Sequence, residues 1–318
     1  MARHDDGYTF ELAAEVARTP VRYRTRFGVE IAADLYRRKD LDESTTLPAL
    51  VIGPPHGGVK EQGPGVYAHE MAKRGFVAIG FDPSYNGESD GEPRHITSPE
   101  VFAEDFSAGV DFLGTLPYVD RTKIGAIGIC GSGGFALSAA QVDTRIRAVA
   151  TAAMYDISRV NRNGWQDAMG DDERRKRLVD LADQRWRDVD EGQPALTPTF
   201  PSEIPGDGLD AITAEFFEYY VAERGHHPRS IGGFTITSAM AHINAGAVAH
   251  LADIAPRRIL LITGDQAHSR YFSDTVHEQT EEWSDLVVVP GARHIDLYDR
   301  TDLIPFDTLE TFFVEQLD

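Results

Sequence analysis

The sequence predicts an α/β fold: a mostly parallel sheet with flanking helices and an inserted block of helices. Three observations predict it. Six short apolar runs of strand length alternate with helix-like segments. The runs lack polar alternation, as strands covered on both faces do. The alternation then stops once, between residues 155 and 256, where no strand-like run occurs.

In chain order, the opening MARHDDGYTFELAAEVARTP has no apolar stretch behind basic residues and no cleavage site, so it reads as no signal peptide. A cytoplasmic location is the default expectation. VRYRTRFGVEIAADLYRR holds two strand-like runs around Phe27-Gly28, an antiparallel hairpin at a sheet edge. The buried runs follow: LPALVIG (47–53), FVAIGFD (76–82), KIGAIGI (123–129), AVATAAM (148–154), RRILLITG (257–264) and SDLVVVPG (284–291). Helix-like segments such as YAHEMAKRG and AEDFSAGVDFLGTL lie between them. Within the strand-free block, DDERRKRLVDLADQRW and LDAITAEFFEYYVAER read as amphipathic helices joined by the loop PALTPTFPSEIPGDG. The expected organisation is a core of 1–154 and 257–318, with 155–256 as a helical cap over the carboxyl ends of the strands, where open α/β sheets bind ligands.

At 318 residues the chain can bury a full core. Lys and Arg number 31 against 51 Asp and Glu, a formal charge of −20, which opposes contact with a phosphate backbone. The densest basic run, Arg174 to Arg177, follows Asp171, Asp172 and Glu173 and reads as a solvated helix face. No apolar run is long enough to span a bilayer. Nucleic acid and membrane are therefore not expected partners; a small acyl compound is, and a homodimer is left open. With one cysteine, neither an intramolecular disulfide nor a cysteine zinc site can form.

That cysteine sits in the most informative segment, Lys123-Ile-Gly-Ala-Ile-Gly-Ile-Cys130-Gly-Ser132-Gly-Gly-Phe135. A buried strand runs through small residues into a helix, the layout of a turn that lifts one nucleophile above a sheet. With Cys130 at the apex, Gly128 and Ser132 flank it and the strand ends beside it. With Ser132 at the apex, the strand needs two further residues. The Cys130 register is preferred. No Lys follows the glycines, which speaks against a phosphate-cradling loop. A thiol at a helix N-terminus gains support for its thiolate form.

The stretches GPPHGGVKEQ, YAHEMAKRGFVAIGFDPSYNGESDGEPR and LPYVDRTKIGAIGICGSGG resemble the dienelactone-hydrolase-like branch of the α/β-hydrolases. They look most like uncharacterised bacterial hydrolases and fungal polyketide transferase or thiohydrolase relatives. The likeness runs from about Phe27 to the C-terminus and is weakest in the inserted block. It implies a Cys-Asp-His triad with the nucleophile at the position of Cys130.

Triad order in this fold is nucleophile, acid, histidine. His294 lies just after the last strand-like run and is the expected base, with an acid limb of activity near the ordinary histidine value of about 6.5. His268 follows an earlier strand and reads as loop structure or a substrate contact. Asp265, after RRILLITG, is the first candidate for the orienting acid, although it stands nearer the strand than the pattern usually has it. Asp156, Asp274 and Asp296 are alternatives. For the oxyanion, Gly131 supplies one N–H, and Gly57 or Gly58 in His56-Gly57-Gly58-Val59 the second; the other reading of those glycines is a plain turn. Tyr85 and Arg94, in the Gly- and Ser-rich loop after the 76–82 run, are candidates for holding a substrate carbonyl or carboxylate, against the more economical reading of a packed turn network. Trp165, Phe216, Phe217, Tyr219 and Tyr220 read as helix core, or as the wall of an apolar acyl pocket.

The expected activity is hydrolysis of an ester, lactone or thioester by attack of Cys130, with no cofactor or metal implied. Transfer of the acyl group to an alcohol or amine needs the same residues and is the first alternative. A non-catalytic ligand-binding protein on the same fold is the second.

Overall fold

A computed structural model describes residues 7–42 and 44–318. The edge hairpin forms as β1 (Val16–Arg24) and β2 (Glu30–Arg38), paired antiparallel around the turn at Gly28, whose φ is +82°. β3 (Leu47–Gly53), β4 (Val77–Phe81), β5 (Val119–Ile129), β6 (Ile146–Ala152), β7 (Ile259–Gly264) and β8 (Ser284–Val289) follow. The eight strands make one sheet in the order β1-β2-β4-β3-β5-β6-β7-β8, parallel from β4 onward. β4 and β7 are buried along their whole length, which explains why neither shows polar alternation. β5 begins four residues before the apolar run, because its polar start still pairs with Leu47 at the sheet margin.

Crossover helices cover the sheet: α1 (Gly63–Lys73), α2 (Pro99–Leu113) and α3 (Gly131–Val142). Between β6 and β7 the chain leaves the sheet for α4 (Ile157–Asn163), α5 (Asp171–Glu191), α6 (Ala211–Tyr220) and α7 (Ala239–Asn244). Among the described residues, its only β pairing is an isolated bridge, Leu196 to Thr235. α8 (Arg270–Thr280), the short α9 (Asp296–Asp299) and α10 (Phe306–Leu317) complete the chain.

The insertion is tied to loops at the carboxyl ends of the strands. Gln62 Nε2 donates to the Gly225 carbonyl, Ser230 Oγ donates to the Gly57 carbonyl at 2.6 Å, and Thr235 N–H donates to the His95 carbonyl. Among the described residues no helix is long and apolar enough to cross a membrane.

Candidate active site

Cys130 occupies the single residue between β5 and α3, with φ +53° and ψ −120°. A non-glycine residue is strained there and is held only because its surroundings determine it. The neighbours must be small: a Cβ on Gly128 would run into the Ser132 carbonyl, and one on Gly131 would lie 2.7 Å from His56 Cβ. Ser132 points away from the turn. Its Oγ is pressed against Gly53 beside the Phe106 ring, and the residue is buried. The strand-to-helix turn therefore presents the thiol, not the hydroxyl.

The thiol is buried, 5% exposed, and burial pushes its pKa up to about 11. The Tyr298 hydroxyl and the backbone N–H groups of His56 and Gly131, all beside the thiol, oppose that rise. Of the residues expected to serve an oxyanion, Gly131 has its N–H beside the thiol, and the N–H beside it from the loop after β3 is that of His56. Gly58 N–H is taken by the Pro55 carbonyl at 2.7 Å, and Gly57, at φ +91°, faces Gly232 and Phe234 of the insertion.

His294 lies in the loop after β8 and is fully buried. Nε2 is 2.8 Å from the Tyr298 hydroxyl and Nδ1 is 2.6 Å from Ser269 Oγ. Tyr298, on α9, thus contacts the imidazole and lies beside the thiol; the Tyr67 hydroxyl anchors its turn by donating to the Leu297 carbonyl at 2.7 Å. Burial, followed by the neighbouring His268, holds the His294 pKa well below the ordinary histidine value.

Asp265, the acid expected to orient His294, is not among the partners of either ring nitrogen. Asp265 is exposed, and its Oδ1 accepts the Gly291 N–H at 2.8 Å, bracing the loop that carries the histidine. The other carboxylates are engaged elsewhere. Asp156 caps α4, Asp274 pairs with Arg270, and Asp296 pairs with Arg293 and Arg224.

His268 packs on His294 with ring centroids 4.7 Å apart, enclosed by Tyr155, Trp165 and Phe216. Its Nδ1 is 3.3 Å from Glu215 Oε2, and Glu215 Oε1 accepts the Ile295 N–H at 2.8 Å. Glu215 of α6 therefore grips the histidine loop from the insertion. Phe216 also packs on His294, Tyr219 and Tyr220 pack on Tyr298, and Phe217 lies against Phe200.

Tyr85 and Arg94 belong to the turn network. Tyr85, at φ +70°, lays its ring over Gly91, and Arg94 donates to the carbonyls of Gly87, Ser89 and Gly91. Among the described residues, no cluster of His, Cys, Asp and Glu could hold a metal ion.

Sequence reasoning missed Ser269, Tyr298, Glu215 and the His56 N–H. Tyr298 had a local signal: it stands four residues after His294, the spacing that stacks side chains on one helical face. Glu215 had none, since it meets Ile295 across 80 residues.

Comparison with known proteins follows this geometry. Residues 28–199 match the profile of the X-Pro dipeptidyl-peptidase (S15) family. The chain is 47% identical over 312 residues to the uncharacterized protein PA2218 of Pseudomonas aeruginosa, covering 97% of this chain and 83% of that protein. The crystal structure of PA2218 superposes with a TM-score of 0.94, at 46% identity over 97% of this chain and 96% of that one. Thiohydrolase aneE of Aspergillus aculeatus is 36% identical over 129 residues, 41% of this chain and 39% of its own. The crystal structure of the α/β hydrolase GrgF from Penicillium sp. sh18 shares the fold, with a TM-score of 0.77 at 20% identity over 95% of this chain and 99% of that one.

Proposed function

We propose, from the premise that this chain belongs to the X-Pro dipeptidyl-peptidase (S15) family of α/β hydrolases, that it cleaves an ester, lactone or thioester through Cys130. The family name points to serine chemistry. The observation that carries a cysteine reading is the backbone at the turn: Cys130 is at the apex with His56 and Gly131 N–H groups on Sγ, while Ser132 lies beneath it. A cysteine there also supports the dienelactone-hydrolase-like likeness, and a thiohydrolase among the relatives supports an acyl substrate.

The mechanism follows the hydrogen bonds. Ser269 Oγ accepts Nδ1–H of His294, which leaves Nε2 as the base. The thiol proton passes to Tyr298 Oη as the Tyr298 proton passes to Nε2. The thiolate attacks the carbonyl carbon, and the oxyanion takes the N–H groups of His56 and Gly131. The leaving alcohol or thiol recovers the proton by the reverse path. Water then enters, gives its proton to the same histidine, and releases the acid. The insertion, 155–256, serves as the cap that encloses this chemistry.

Acyl transfer is the second reading, favoured by burial. Cys130 is 5% exposed and His294 0%, with Tyr155, Tyr220 and Tyr298 around the thiol, an enclosure that disfavours water as acceptor.

The test is a panel of acyl esters, lactones and thioesters, assayed with and without an added alcohol or amine acceptor. Activity and an acyl mass adduct are expected in the native chain and in Ser132→Ala, and neither in Cys130→Ala. Retained turnover in Cys130→Ala with loss in Ser132→Ala overturns the reading.

A further inference from the structure

A cavity of about 550 Å³ lies on the insertion side of His56. α5 supplies Arg177, Asp180, Gln184 and Arg187 to its wall, His242 of α7 also lines it, and His56 faces it from the core. The Arg177 guanidinium donates to the Asn161 carbonyl and to Asn161 Oδ1, each at 2.7 Å. Arg187 donates to Gln184 Oε1 at 3.0 and 2.8 Å. Among the described residues neither has a carboxylate in ion-pair contact, although the chain holds 51 acidic residues against 31 basic ones. Each guanidinium has five N–H donors, of which these bonds use two.

The rest of the wall does not cancel that charge. His56 and His242 are held neutral by burial, their pKa values pushed down to about 3 and about 4. Asp180, exposed to solvent, is the one carboxylate against two cations. Arg177 is half-buried with burial lowering its pKa and no anion opposing it. His242 Nδ1 is buried without a partner. Arg177 is half-buried and Arg187 exposed, and with no carboxylate on either guanidinium their remaining N–H donors are available to an anion in the cavity.

The cavity is coupled to the nucleophile through one residue. His56 turns its N–H to Cys130 Sγ, while its ring lines the cavity and stacks on Phe234 with centroids 4.0 Å apart. We infer that this cavity is an anion subsite, which takes the carboxylate- or phosphate-bearing end of an acyl substrate whose reacting carbonyl lies at Cys130. The inference rests on the reading of Cys130 as nucleophile for the second half of that statement only.

Binding tests the subsite without turnover. Isothermal titration of the full chain uses dicarboxylates from succinate to suberate, inorganic phosphate, and neutral 1,6-hexanediol. Dicarboxylate or phosphate binds and the diol does not; binding by dicarboxylate alone assigns a carboxylate end, and tighter phosphate binding assigns a phosphate end. Arg177→Gln weakens the anion roughly 10- to 100-fold, the value of a charge-assisted hydrogen bond. Arg177→Lys recovers part of the loss, and Asp180→Asn, at an exposed position, tightens binding. Failure of every anion to bind, equal binding of the diol, or unchanged binding in both Arg177→Gln and Arg187→Gln overturns the inference. In turnover, Arg177→Gln raises KM for dicarboxylate monoesters more than for methyl hexanoate. If Cys130 is not the nucleophile, that assay is silent in Cys-dependent turnover while the titration still reports the anion, so the two failures are told apart.

Discussion

The Tyr298 hydroxyl and His294 Nε2 are 2.8 Å apart, one helical turn apart in the chain, and the same hydroxyl lies beside the Cys130 thiol. In the proposed mechanism the base therefore meets the nucleophile through a phenol. A relay of this kind works only while each donor has one acceptor, which makes the hydroxyl itself testable.

Tyr298→Phe keeps the ring and removes the relay. We expect kcat to fall roughly 10²- to 10⁴-fold, the usual share of general acid–base catalysis. Because the hydroxyl is one of the groups that lower the thiol pKa, alkylation of Cys130 should also need higher pH in the variant. Unchanged kcat together with an unchanged alkylation profile would remove Tyr298 from the mechanism.

Ser269 and Asp265 separate by the same logic. Ser269→Ala strips the partner from a fully buried Nδ1, and kcat should drop at least about tenfold, as a lost buried hydrogen bond of about 1–3 kcal/mol implies. Asp265→Asn can still accept from Gly291 N–H through its amide oxygen, so its kcat should stay within about twofold. Steady-state kinetics on both variants decides whether the serine or the acid orients the base.

pH acts through the buried histidines. The folded pKa values of His294, His56 and His242 all lie below 6.5, the first two causes being burial and a neighbouring histidine for His294 and His56, and burial alone for His242. Above 6.5 both folded and unfolded chains hold these rings neutral and stability is complete. As pH falls below 6.5 the unfolded chain takes up protons first, so stability declines toward pH 4. The contribution of His242 is on the order of 3 kcal/mol. Its replacement in His242→Gln should make the fall of Tm between pH 6.5 and 4 shallower. For the same reason, kcat/KM should hold through pH 6.5 and fall only at lower pH; a limb centred on 6.5 would refute the depressed His294.

Glu215 couples the insertion to the histidine loop. Glu215→Gln keeps an oxygen for the Ile295 N–H and should retain most activity. Glu215→Ala leaves that buried N–H unpaired, at a cost of about 1–3 kcal/mol, and should lower both Tm and kcat. Thermal unfolding and kinetics on the pair check this; equal behaviour of the two variants would mean that the Ile295 bond does not set the loop.

The strands were legible because burial on two faces forces apolar runs, and β3 runs over the same residues as its run, 47–53. The turn at Cys130 was legible because a close-packed strand-to-helix turn demands small residues at fixed spacing, and those are local in sequence. His294 was placed after the last strand by chain order, yet chain order carries no information on what touches each ring nitrogen. That depends on how far β7 and β8 reach, and on Ser269 and Asp265 standing four residues apart on opposite sides of the same loop. Likewise, a turn bond to Pro55 uses the Gly58 N–H, which the glycine pattern by itself did not show. The amino-acid order by itself determined the sheet, the turn and the identity of the residue at its apex. Tertiary packing decided the partners of the histidine, the position of Tyr298 beside the thiol and the grip of Glu215, because contacts across tens of residues leave no periodic trace in the chain.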